Sequence, residues 1–258
     1  MTEQLDTGTV RRMHLVVRRR ARTFGREVGK AHQDAGWPGA AGQAAVLLAA
    51  LAARPVRRWR ERRLDQRLRL DTGPDVGPWE PGLASPTAGA CNDGVAYFPT
   101  PLHHFRTVLH QLPIADPAQF AFVDLGCGKG RNLILAAEHG FRPVIGVELD
   151  RRLTGIARSN ADTFAAAAAW PDNPISVVNS DALAYPFPPL PTVVFLFNPF
   201  GAATLRAVLG NLERSLQSTP RRLLVGYVNP IHREVLDASP ALRPAVSTRQ
   251  WVIYDTLQ

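Results

Sequence analysis

Between Phe120 and Val228 the chain alternates short apolar, β-branched runs with longer segments in which apolar residues recur every three or four positions. The short runs are Phe120–Leu125, Pro143–Glu148, Ile175–Asn179, Thr192–Phe197 and Arg222–Val228, all of strand length. The segments between them, beginning with Arg131–His139, have helical periodicity. Such alternation predicts parallel strands joined by crossover helices: an α/β fold, doubly wound, with one mostly parallel sheet. Ala241 to Asp255 holds two more extended pieces around Ser247-Thr248, which suits a terminal antiparallel hairpin. The alanine run Ala165–Ala169 reads as the end of a helix that starts near Asp150.

Upstream of this core the pattern loosens. Residues 1–36 are Arg-rich, densest at Arg18-Arg19-Arg20, with Met13, Val16 and Val17 near helical spacing. After Pro38 and Gly39 an Ala/Leu segment runs to Pro55, and Arg57 to Leu70 follows as a predicted helix with Trp59, Leu64 and Leu68 on one face. Residues 72–101 contain six prolines and five glycines with little periodicity, and read as a long loop.

Charge sharpens this division. Of 30 basic and 22 acidic side chains, 16 and 7 lie in residues 1–71, leaving 14 against 15 in the rest. A basic segment beside a near-neutral body suggests an anionic partner such as nucleic acid, an acidic protein or a lipid surface; a solvated helical face is the plainer reading. The apolar run Ala44 to Ala53 is short of the roughly 20 residues needed to span a bilayer, and it lacks a secretory signature. Two cysteines, Cys91 and Cys127, are too few for a disulfide framework, so a reducing cytoplasm is expected. No His, Cys and carboxylate cluster has metal-ligand spacing, and no metal is expected.

The first predicted strand runs into Asp124-Leu125-Gly126-Cys127-Gly128-Lys129-Gly130 and then into a helix. Glycines in a strand-to-helix turn let backbone approach a ligand closely, and the helix start offers free amides. Read as a dinucleotide fingerprint from Gly126, the pattern places Arg131 where a third small residue should pack, so that fingerprint fails. Cys127 in such a turn reads as a small filler and not as a nucleophile.

The G-x-G-x-G spacing after an acidic residue resembles motif I of class I S-adenosylmethionine-dependent methyltransferases, as does Glu148 at the end of the next strand. Asn198-Pro199-Phe200 after the fourth strand resembles the Asn-Pro-Pro-aromatic motif of amino-directed methyltransferases, with the second proline missing and the aromatic one place early. Asp71-Thr72-Gly73, Tyr97-Phe98-Pro99-Thr100 and Tyr227-Val228-Asn229-Pro230 complete a likeness that covers roughly Arg57 to Leu257. It points to a bacterial class I group distantly similar to non-SET histone-lysine methyltransferases.

The resemblance implies a seven-stranded class I fold with an N-terminal helical extension. Its expected parts are a basic extension over 1–71, a loop and helix over 72–119 shaping the cofactor and acceptor entrance, and a Rossmann-like core over 120–258. It implies S-adenosylmethionine as cofactor, held by Asp124, Gly126, Gly128, Gly130, Arg131, Glu148, Asp181 and Asn198. Glu148 would accept the ribose hydroxyls and Asp181 the adenine amino group, while Asp150 fits a helix cap and Asp181 could be an ordinary turn aspartate. On the acceptor side it implies Asn198 and Pro199 holding an amine, Tyr97 lining the methyl-donor pocket or packing the loop, and His103 or His104 as a base or a packed helix-start residue. The expected reaction is methyl transfer to an amine of a protein or small molecule. Oxygen or carbon acceptors, and a cofactor-binding module acting through the basic N-terminus, are the alternatives.

Overall fold

The structure, a computed structural model, describes residues 54–73, 97–170 and 172–256. The chain divides into two compact units, Met1–Arg60 and Glu61–Gln258. The basic stretch 1–36, with the anionic partner expected for it, lies outside the described residues, as do 74–96.

Helix α1 (Arg54–Leu68) ends in Leu64 and Leu68, which turn toward the core of the second unit, Leu64 being buried. Trp59 does not share that face and is 55% exposed. Five residues of helix rotate it by about 140° from Leu64, whereas four residues bring Leu68 back beneath it. The unit beginning at Glu61 therefore starts inside the stretch assigned to the basic extension, and Asp65, Asp71 and Thr72 bond into the core.

Next come α2 (Leu102–Gln111), β1 (Ala121–Leu125), α3 (Arg131–Glu138), β2 (Val144–Glu148), α4 (Arg151–Ala167), β3 (Ile175–Asn179) and β4 (Thr192–Phe197). The second half adds α5 (Ala202–Ser218), β5 (Leu223–Val228), α6 (Arg233–Asp237), β6 (Leu242–Ser247) and β7 (Trp251–Thr256). They form a seven-stranded sheet in the order β3-β2-β1-β4-β5-β7-β6. The first five strands in that order are parallel, and β7 pairs antiparallel with both β5 and β6. The sequence placed all five parallel strands and the hairpin break at Ser247-Thr248.

Strands β1, β4 and β5 are apolar along nearly their whole length because helices cover both faces. Phe105, Phe122 and Phe195 interlock on the face covered by α2, α3 and α4, with Phe105 and Phe195 edge to face at 4.9 Å. Leu125, Leu196, Leu205 and Tyr227 pack on the other, beneath α5 and α6. Each fully buried ring or leucine contributes roughly 1.5–3 kcal/mol of transfer free energy. Asp150 caps α4 by accepting from the backbone N–H of Arg152 and Leu153, as expected of it. The sheet order reverses at β1 and β4, so the crevice beyond their carboxyl ends is where a doubly wound fold takes its ligand.

Candidate active site

One edge of that crevice is built from the ends of β1, β2 and β3. The β1 turn passes through left-handed glycines at Gly126, Gly128 and Gly130, and the N–H groups of Gly126 and Cys127 both donate to the Val147 carbonyl, at 2.8 and 3.1 Å. Glu148 closes the turn: one carboxylate oxygen accepts from Gly128 N–H at 2.8 Å and the other from Asp150 N–H at 2.9 Å. A Cβ at Gly128 would stand 2.1 Å from the Tyr97 ring, and one at Gly126 would stand 2.9 Å from Pro199. The turn is thus bracketed by two residues distant in sequence, and only glycine fits between them. At the end of β3, Asp181 accepts from Leu183 N–H at 2.9 Å, as a turn aspartate does, while Asn179 donates to the Glu148 and Leu149 carbonyls.

Residues 65–73 strap this edge from outside. Lys129 reaches Asp71 at 2.9 Å, and Asn160, a polar residue on the buried stripe of α4, binds the Asp71 backbone and the Lys129 carbonyl. Arg131, expected among the cofactor ligands, is buried with its guanidinium on Thr72, at 2.6 Å, and near Asp65. Tyr97 donates to the Thr72 carbonyl at 2.9 Å, so its ring lies over Gly128 while its hydroxyl is held by the strap. Asp65, Thr72 and Asn160 were given no role from sequence; a polar residue inside an apolar helical stripe is the signal that could have marked Asn160.

The other edge is built from the ends of β4 and β5, which stop in the same way. Asn198 precedes Pro199 with φ +43°, and Asn229 precedes Pro230 with φ +52°, directly after the paired residues Phe197 and Val228. Asparagine is among the few residues that adopt the left-handed region at modest cost. The Asn198 amide is buried, and its oxygen accepts from the Tyr227 hydroxyl at 3.0 Å. Tyr227 was visible in sequence only as part of a motif, although a tyrosine in an otherwise apolar strand needs a partner for its hydroxyl. His103 and His104 open α2, with rings 4.1 Å apart; His103 is exposed and His104 sits 5.6 Å from Trp251.

Residues 122–219 match the family model described as a methyltransferase domain. They span β1 to α5, from the glycine turn through Glu148 and Asp181 to Asn198. That stretch of the chain carries a methyltransferase domain. No curated protein sequence matches the chain. Among solved structures it is similar to an RNA methyltransferase from Salinibacter ruber in complex with S-adenosyl-L-homocysteine, at 18% identity and TM-score 0.41, covering 62% of this chain and 92% of that one. It is also similar to magnesium protoporphyrin IX methyltransferase from Synechocystis PCC 6803 with bound SAM, at 16% identity and TM-score 0.41, covering 58% and 74%.

The glycine-turn edge of this methyltransferase is acidic and buried. Burial pushes the Asp124 carboxyl up to about 7, with the Asn132 hydrogen bond lowering it and Glu148 raising it. Burial also raises Glu148, against the lowering effect of the Asp150 and Gly128 amides. Two buried acidic groups, Asp124 raised further by Glu148, suit a cationic ligand better than an anionic one. They oppose a pyrophosphate, and Glu148 already occupies the Gly128 amide that an anion would use. Cys127 is buried with its thiol pushed up by burial and by Asp124 and Glu148, which suits filler and not a nucleophile. Among the described residues, no group of three or more His, Cys, Asp or Glu is placed to hold a metal, and no helix is long and apolar enough to cross a membrane.

Proposed function

We propose that this methyltransferase transfers the methyl group to an amine nitrogen of a protein or a small molecule. The observation that carries the reading is the contact of Pro199 with the Gly126 position, which sets the Asn198-Pro199 turn on the cofactor loop. That turn is rich in acceptors: the Asn198 amide oxygen and the backbone carbonyls accept, and Pro199 has no N–H to offer. An amine presents hydrogens to such a surface while its lone pair faces the methyl. The resemblance to amino-directed and histone-lysine enzymes supports the same reading.

The sulfonium supplies an activated methyl, so the protein's share of the work is alignment and exclusion of water. A lysine-like amine must also arrive neutral, which costs roughly 4–5 kcal/mol at pH 7. His103, exposed at the start of α2, is the candidate for taking that proton, and Tyr97 over Gly128 shapes the donor side. Asp124 and the three turn glycines hold the cofactor from below, Glu148 its ribose and Asp181 its adenine. An oxygen acceptor is the second reading, favoured by the departure of Asn198-Pro199-Phe200 from the full Asn-Pro-Pro-aromatic motif.

Incubation with methyl-labelled S-adenosylmethionine and a fractionated cell extract tests the reading. Label that survives mild base and is recovered on an amine is the expected result. Label released by base as methanol marks a carboxylate acceptor and contradicts it.

A further inference from the structure

The acceptor edge contains one hydroxyl that serves both Asn-Pro turns. Tyr227 pairs with Leu196 across β4 and β5, and its hydroxyl reaches Asn198 Oδ1 at 3.0 Å. From the second turn, the His232 backbone N–H donates to the same phenolic oxygen at 3.4 Å. With that lone pair occupied, the phenol's own proton is the group directed at Asn198. Burial pushes the Tyr227 phenol up to about 12, so the proton stays in place across the neutral range. Asn198 needs such support. Its left-handed backbone, its position before proline and its 8% exposure combine an unfavoured conformation with burial, a state that persists only where neighbours over-determine it.

We propose that Tyr227 is a positioning residue for methyl transfer, its hydroxyl locking the Asn198 amide so that the oxygen, and not the NH2 group, meets the acceptor nitrogen. The inference rests on the amine reading above. An amide turns end for end about a broad, nearly two-fold torsion at little cost, so something must break that symmetry. The Tyr227 proton does so, because it can be accepted by Oδ1 and not by Nδ2. It takes one lone pair of Oδ1 and leaves the second for an N–H of the acceptor. Without the hydroxyl, half of the amide orientations present a donor to a donor.

Sinefungin tests this without knowledge of the acceptor, since it carries an amine on carbon where S-adenosylmethionine carries its methyl sulfonium. Calorimetry compares sinefungin with S-adenosylhomocysteine on the full chain, the Tyr227→Phe variant and the Asn198→Ala variant. The unaltered protein is expected to prefer sinefungin. Asn198→Ala should lower that preference roughly tenfold or more, and Tyr227→Phe roughly three- to tenfold with S-adenosylhomocysteine affinity held within about twofold. If Tyr227→Phe shifts both affinities together along with the melting temperature, Tyr227 is structural and the proposal falls. If it leaves the preference intact while Asn198→Ala abolishes it, the positioning role fails and the amine reading stands. A preference unchanged in Asn198→Ala overturns the amine reading itself. Should Tyr227→Phe not fold, NMR of the unaltered protein decides. A slowly exchanging Tyr227 hydroxyl proton with a nuclear Overhauser contact to the Asn198 side-chain amide is expected, and its absence overturns the proposal.

Discussion

The two edges of the crevice are held by different means. At the cofactor edge the ends of β1 and β2 are joined through backbone: glycines with no side chain to obstruct, and amides that converge on the Val147 carbonyl and on Glu148. At the other edge the ends of β4 and β5 are joined through side chains, the Asn198 amide, whose backbone is in the left-handed region, and the Tyr227 phenol. A backbone-built edge tolerates almost no added volume, which suits the binding role proposed for it. A side-chain edge can be changed atom by atom, which suits the proposed orienting role. Substitutions on the two edges should therefore fail in different ways.

The largest effect is expected at the crowded side. Gly128→Ala drives a methyl into the Tyr97 ring at a left-handed position, and overpacking plus backbone strain together cost roughly 2–5 kcal/mol. Thermal unfolding and calorimetry should show a lower melting temperature and a loss of cofactor binding. Wild-type behaviour would mean that Tyr97 does not lie on the turn.

At the other edge, Asn198→Ala should slow single-turnover methyl transfer by roughly ten- to a thousandfold, as when an orienting polar contact is lost from a dry site. A full rate per folded molecule would break the contrast between the edges and leave Asn198 as a turn residue.

A subtler separation comes from pH. Because burial raises Asp124 above its unfolded value, the folded protein holds this proton more tightly than the unfolded chain. Its stabilising contribution is complete below about pH 4 and is lost as pH rises through about 7. Asp124→Asn should match the unaltered apo-protein near pH 4 and exceed its stability by about 2–4 kcal/mol near pH 8. Urea unfolding at the two pH values checks it, and a gain that does not depend on pH would contradict the buried ionisation.

Much of the framework of the glycine-turn edge was legible in sequence. Strands β1, β4 and β5 are apolar because both faces are covered, which is why their ends could be read to about a residue, and Asp150 announced its helix cap by chemistry. Glycines in a strand-to-helix turn carry their reason locally. Asp71-Thr72-Gly73 was visible as a motif but the strap's contacts were not, because Asp65, Asp71 and Thr72 bond to Lys129 and Arg131 across a gap in sequence that no periodicity marks. Trp59 misled because alternation of apolar residues in α1 was counted without the five-residue rotation that turns it outward. At the acceptor edge Asn198 was visible through its motif, but its partner was not. A hydroxyl at the end of β5 meets an amide at the end of β4 only once the strand order is known.

The most direct test of the division between the edges is a titration of S-adenosylmethionine into Glu148→Ala and Asn198→Ala prepared side by side. Glu148→Ala loses the Gly128 clamp and the carboxylate proposed to hold the ribose, and should bind about ten- to a hundredfold more weakly, whereas Asn198→Ala should stay within about threefold of the unaltered protein. Equal losses in both variants, or an unchanged dissociation constant for Glu148→Ala, would contradict the account.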